Sequence, residues 1–198
     1  MIGHEGSRAS RIRQSILDVA TEVLIADPSA SMADIAAAAG LGRTTITKRY
    51  PTRQAMLVAV AHDAMDRLDK AYVEAHLDVP GEQALEALRR LVTLVIPLGP
   101  RIQFLVCQPS LELDEGLTAR VQTFDAPVEL LFRAGQQAGI FRAEAPVWWA
   151  VLTFNSLVYS AWEAITQGRL APLDAPDLVV MTLLGGIGTP PGGHSKSH

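Results

Sequence analysis

The stretch from Ser31 to Arg53, SMADIAAAAGLGRTTITKRYPTR, leaves this chain little choice of local structure. Ser31 stands where a helix can begin, and Asp34 three residues on can return its carboxylate to that helix start, close to a capping box. Ile35 and the alanines Ala36 to Ala39 then make a small, smooth helix that another helix can approach closely. Gly40-Leu41-Gly42 is the turn. Gly40 supplies the left-handed backbone that ends the helix, and Leu41 is expected to point inward. From Arg43 to Arg49 a second short helix carries one apolar residue, Ile46, among Arg43, Thr44, Thr45, Thr47, Lys48 and Arg49. One buried anchor beneath a face of donors suits the major groove of duplex DNA, which displays acceptors and thymine methyls. Two short helices joined by a glycine turn, with a third starting behind Pro51, form a helix-turn-helix pattern.

A net charge of −4 looks unsuited to nucleic acid until it is divided along the chain. Residues 1–53 hold seven Lys or Arg (Arg8, Arg11, Arg13, Arg43, Lys48, Arg49, Arg53) and five Asp or Glu (Glu5, Asp18, Glu22, Asp27, Asp34), a balance of +2. The remainder therefore carries −6. This is a basic head on an acidic body, and the acidic body limits non-specific attachment to DNA. Arg8, Arg11 and Arg13 read either as a solvated basic start or as an arm touching phosphates or the minor groove.

The spacing of Ile16-Leu17-Asp18-Val19-Ala20, Met32-Ala33-Asp34-Ile35-Ala36, Ala39-Gly40-Leu41, Thr45-Ile46, Tyr50-Pro51-Thr52-Arg53 and Ala55-Met56-Leu57 resembles the DNA-binding domain of the tetracycline-repressor (TetR) family. The resemblance covers about residues 10–57; beyond that it rests on length and helical character. Thr47 stands where the family commonly carries an aromatic, and Arg49 where it carries Tyr or His. The resemblance implies a homodimeric, ligand-responsive transcriptional regulator, most often a repressor, bound to a palindromic operator. It also implies that the helix after Thr52 carries the ligand signal.

Helical spacing organises the rest. The first helix is expected from about Ser10 to Ala26, with Ile16, Ala20, Val23 and Leu24 on one stripe, and residues 1–7 are expected to lack structure. Further helices are expected from Thr52 to His76, Glu82 to Ile96 and Arg101 to Gln108. The next runs from about Gly116 to Gly139, with a kink at Pro127. The eighth and ninth run from Pro146 to Gln167 and from Asp177 to Leu184. No run alternates like a strand, so the fold class is all-α. The expected domains are residues 8–53 (helix-turn-helix), 54–185 (ligand binding and dimerisation) and 186–198 (flexible tail).

There is no phosphate loop and no nucleophile elbow, so no catalytic residue, cofactor or metal site is expected, and no enzyme. Glu112-Leu113-Asp114-Glu115 reads as a solvated loop, and His62 as structural or solvent-facing, with orienting a ligand beside Asp63 as the second reading. Cys107 is the one cysteine, which fits a reducing cytoplasm; it reads as a small core residue, with a redox sensor as the second reading. The longest apolar stretch, Val147 to Trp162, is shorter than the roughly 20 residues a membrane span requires.

Arg43, Thr44, Thr47 and Lys48 are expected at base edges or nearby phosphates, with Thr45, Arg49, Tyr50 and Arg53 positioning the DNA backbone. A mostly apolar ligand pocket is expected among Tyr72, Phe104, Cys107, Phe124, Trp148, Asn155 and Tyr159. Asn155, polar among apolar neighbours, needs a partner, either a ligand or a backbone carbonyl. The homodimer is expected through the eighth and ninth helices, because both are apolar on more than one face; Val180 and Leu184 are assigned to the outer face of the ninth. Two other classes fit less well: a DNA-binding dimer without a small-molecule ligand, and a helical enzyme.

Overall fold

The computed structural model describes residues 3–108 and 114–187, with the side chains of residues 3–11, 106, 107, 122 and 187 outside that description. The described residues form ten α-helices and two short 3-10 turns, with no strand. Ten rather than nine helices arise because the stretch expected to kink at Pro127 breaks instead. Helix α7 (Glu115–Phe124) stops, Asp125 intervenes, and α8 (Ala126–Gln137) restarts with Pro127 in its first turn. Proline fits there because the amide it lacks has no partner in a first turn.

Two compact units result. One holds the residues up to Arg67 together with Pro100–Val121, the other Leu68–Gly99 together with Gln122 onward. The first contains α1 (Gly3–Ala26), α2 (Met32–Ala38), α3 (Arg43–Arg49), the start of α4 (Arg53–Glu74) and most of α6 (Gly99–Cys107) and α7. Helix α1 starts at Gly3, earlier than its apolar stripe suggests, since no proline interrupts the residues before Ser10. Ile16, Leu17, Ala20 and Leu24 are buried on α1, and Ile35, Ala36 and Ile46 are buried on α2 and α3. These spacings of three and four bring one face of each helix to a shared core.

In the second unit α5 (Ala84–Val95) buries Ala84, Ala87, Leu88, Leu91, Val92 and Val95, the three-and-four repeat of a helix covered along one side. It packs on α8 and on α10 (Ala175–Ile187), and α9 (Val147–Thr166) packs on both as well. Of the two apolar faces read on α9, the one with Val151, Phe154 and Val158 is core. The other is divided: Trp148 and Leu152 are exposed, and Tyr159 and Trp162 are half-buried. On α10 the assignment of faces needs correction. Val179, Val180 and Leu183 are buried, Val180 at 1 % exposure, while Leu178 and Met181 face solvent, Met181 at 64 %. Helix α10 is apolar nearly all round, so its sequence could not say which stripe its own unit covers. The tail expected from residue 186 lies outside the described residues beyond Ile187.

Candidate nucleic-acid interface and ligand site

Helix α2 begins with a reciprocal capping box. The Asp34 amide donates to Ser31 Oγ (3.2 Å) and the Ser31 amide donates to Asp34 Oδ2 (2.8 Å). These bonds from Ser31 hold the Asp34 carboxyl below its usual range. Gly40 ends the helix at φ +64, and the chain re-enters α3 through Gly42. On α3, Ile46 is fully buried, and Arg43, Thr44, Thr45, Thr47, Lys48 and Arg49 are all exposed. Arg43, Lys48 and Arg49 form no ion pair among the described residues, so their charge is directed outward. The Thr47 hydroxyl donates back to the Arg43 carbonyl (2.9 Å), which leaves its oxygen lone pairs and methyl group to face a partner.

Two residues expected at the DNA backbone have other work. Tyr50 is buried; burial pushes its phenol up, and a hydrogen bond with Arg13 opposes that shift. Its ring is therefore core, and its contribution is to hold Arg13. Arg53 turns inward: Nε donates to the Ala30 carbonyl (3.1 Å) and Nη2 to that of Pro28. It thus braces the start of α4 against the turn before α2. A basic residue two places after a helix exit looks the same in sequence whether it reaches outward or inward.

A charged network that sequence reading missed stitches the same unit. Asp18 of α1 is bound by Arg67 of α4 and by Arg101 of α6. Asp63 of α4 accepts from Gln14 Nε2 (3.0 Å) and Arg67 Nε (3.1 Å), and lies 3.5 Å from Arg101 Nε. Arg101 is only 9 % exposed. Arg120 of α7 reaches Asp66 (2.9 Å) and His62 Nδ1 (3.3 Å), a structural role for His62. Only the Asp63/Arg67 pair, four apart on one helix, had a sequence signal.

The expected pocket residues do not come together as one set. Phe104 is 1 % exposed within the first unit, and the Cys107 side chain lies outside the described residues. Trp148 is 63 % exposed and meets Trp149 edge to face (centroids 5.7 Å), so it lines no interior. It follows Pro146 in the first turn of α9, off the stripe of Ala150, Val151 and Phe154. Tyr159 packs on Trp162 (5.7 Å), whose ring lies so close to Gly99 that a Cβ there would sit 1.9 Å from it. Two open grooves mark the second unit. One of about 570 Å³ is bordered by Pro97, Trp162 and Leu173, the other of about 650 Å³ by Leu77, Pro127 and Leu130. None of the expected pocket residues borders either groove.

Tyr72, Phe124 and Asn155 do meet in the second unit, around a residue that was not anticipated. The Tyr72 and Phe124 rings lie 5.0 Å apart at 40°. Asp125 follows Phe124 directly, and its carboxylate accepts a hydrogen bond from Asn155. The partner of Asn155 is thus an acid, neither a backbone carbonyl nor a ligand. Burial raises the Asp125 carboxyl, Asn155 lowers it, and Glu129 raises it again. Burial likewise pushes the Tyr72 phenol up, aided by Asp125 and Asp69. Among the described residues no group of His, Cys, Asp or Glu is placed to hold a metal, and no helix is long and apolar enough to cross a membrane.

Comparison with known proteins matches residues 16–60, which contain α2, α3 and their flanks, to the model for bacterial regulatory proteins of the tetR family. The HTH-type transcriptional repressor LfrR of Mycolicibacterium smegmatis is 37 % identical over 188 residues, covering 94 % of this chain and 96 % of the relative. The HTH-type transcriptional regulator NfxB of Pseudomonas aeruginosa is 31 % identical over 176 residues, covering 86 % and 92 %. A crystal structure of LfrR from Mycobacterium smegmatis in complex with proflavine superposes with a TM-score of 0.72 at 34 % identity, covering 91 % of this chain and 99 % of that one.

Proposed function

The chain belongs to the TetR family of bacterial regulatory proteins, a DNA-binding regulator of transcription and not an enzyme, and from that premise we propose that it is a cytoplasmic homodimeric repressor released from a palindromic operator by a small aromatic molecule. The observation that carries the DNA-binding part is α3: one buried anchor, Ile46, beneath a surface made only of donors and unpaired cations. Arg43, Thr44, Thr47 and Lys48 meet base edges or nearby phosphates, while Thr45, Arg49 and Arg13 meet the backbone. Tyr50 and Arg53 support them from behind. The repressor role follows LfrR, a repressor whose structure with proflavine supports an aromatic effector here.

Dimerisation through α9 and α10 is supported by the apolar side chains these helices leave in solvent: Trp148, Trp149 and Leu152 on one, Leu178 and Met181 on the other. A second copy burying them would form a twofold four-helix interface and present two copies of α3 to half-sites about 34–36 Å apart or near multiples. The test is selection of bound sequences from a random duplex library, followed by binding of Arg43→Ala and Met181→Glu to the winning site. Arg43→Ala should relax preference at particular base pairs, since a good bidentate contact contributes about 1–3 kcal/mol of discrimination. Met181→Glu should give a folded monomer by light scattering and lose most operator affinity. A selected site without twofold symmetry, or normal binding by both variants, would refute this arrangement.

A further inference from the structure

Resting on the docking of α3 in the major groove, we infer that Thr47 is a thymine reader, selecting that base by contact of its own methyl group with the C5 methyl. The first observation is what α3 lacks. Arg43–Arg49 is built of arginine, lysine, threonine and one isoleucine, with no Asn, Gln, Asp or Glu. Adenine is ordinarily read in the major groove by the paired donor and acceptor of an Asn or Gln amide, and cytosine by a carboxylate that accepts from its amino group. Neither kind of side chain is present. Arginine and lysine only donate, which suits O6 and N7 of guanine. Ile46 is 0 % exposed and belongs to the core. The methyl groups of Thr44, Thr45 and Thr47 are then the short apolar groups that α3 can offer to a base.

The second observation singles out Thr47. Its hydroxyl donates to the Arg43 carbonyl one turn back, at 2.9 Å. A hydroxyl has a single hydrogen to give, and this one is committed to the backbone. Guanine O6 and N7 and thymine O4 therefore receive no donor from it. The bond also turns the oxygen along the helix toward the preceding turn, so the γ-methyl is the branch left to face outward. Thr44 and Thr45 show no such bond among the described residues. Arg43, Thr44, Thr47 and Lys48 are spaced to share one face, and around the helix axis Thr47 falls between Arg43 and Thr44. Its methyl thus stands among the groups assigned to base edges, and all four side chains are exposed. Threonine is stiff about its first side-chain bond, so the methyl is placed before DNA arrives. The C5 methyl of thymine is the one apolar group that a base pair presents in this groove, and contact removes both methyls from water.

The experiment uses the full-length protein and the selected duplex, with each thymine of one half-site replaced in turn by deoxyuridine, which lacks only the C5 methyl. Wild-type affinity should fall about fourfold at one of these positions, the scale of one buried methyl group. Thr47→Ser keeps the hydroxyl and removes the methyl. It should bind the thymine duplex as weakly as wild type binds the deoxyuridine one, with no further loss on deoxyuridine at that position. Thr47→Val, in which a methyl replaces the hydroxyl, should keep the preference for thymine. Because Thr47 is exposed, both variants should melt with wild type. Equal wild-type affinity for every deoxyuridine duplex would overturn methyl recognition. An undiminished loss in Thr47→Ser would give the contact to another residue, and loss of the preference in Thr47→Val would make the hydroxyl the contact; either overturns the role of Thr47. These three outcomes leave α3 in the groove. Unchanged binding of the thymine duplex by both Arg43→Ala and Lys48→Ala would instead overturn the docking of α3 itself.

Discussion

The two units treat partly buried carboxylates in opposite ways. In the first, Asp18 and Asp63 share Arg67 and Arg101, and Asp63 takes a further bond from Gln14. In the second, Asp125 has Asn155 and no cation, with acidic Glu129 nearby. The first arrangement fixes three helices, α1, α4 and α6, in one register. A charge compensated from several elements resists their relative displacement, because any shift leaves one partner unpaired in a poorly solvated place. The second arrangement compensates the charge only through a neutral donor. One cluster ties helices of the first unit together; the other leaves its acid to a neutral donor.

Removing the central cation of the scaffold should have the largest effect. Arg101→Met keeps the side chain's bulk but strips Asp18 and Asp63 of a shared partner. The loss should be about 2–4 kcal/mol, toward the lower part of the range for broken buried pairs because Asp18 is partly solvated. Chemical denaturation with operator binding measured in parallel checks this; a loss below about 0.5 kcal/mol would mean that the network is ornamental. Asp18→Asn should cost less, about 1 kcal/mol, since water already screens that carboxylate and Asp63 remains to hold both arginines.

The smallest effect should have the opposite sign and a defined pH dependence. The folded-state pKa of Asp125 lies above its ordinary value, chiefly through burial. The folded protein therefore holds this proton more readily than the unfolded chain. The ionised group costs stability at neutral pH, and the cost disappears as pH falls below the ordinary carboxylate range. Asp125→Asn should slightly stabilise the unliganded protein at pH 7, with the gain vanishing in acid. Thermal melts of both proteins at neutral and acid pH measure it. A destabilising substitution at pH 7 would erase the contrast between the units.

The head was legible because its determinants are local. Ser31 with Asp34, Gly40 and the single apolar residue of α3 each act within a few residues of themselves, and each does in three dimensions what its spacing implies. Helical periodicity also located the body helices and most of their buried stripes. It failed where a helix offers more than one apolar face. Val180 and Trp148 are equally plausible as core or surface until the neighbours of α10 and α9 are known, and the fold buries the first and exposes the second. It failed again at Tyr50 and Arg53, whose inward commitments depend on Arg13 and on the carbonyls of Pro28 and Ala30.

The sequence by itself thus determined an all-helical chain, the helix-turn-helix with its outward donors, and the family to which that pattern belongs. These rest on hydrogen bonds and side-chain periods that close within one or two helical turns. Only the tertiary structure decided that Arg101 joins Asp18 and Asp63, and that Asp125 meets Asn155 with no cation beside it. Those pairings link residues dozens of positions apart. Whether a carboxylate is neutralised or left open depends on which charged atoms folding brings within a few ångströms of it, because Coulomb attraction and desolvation follow distance in space.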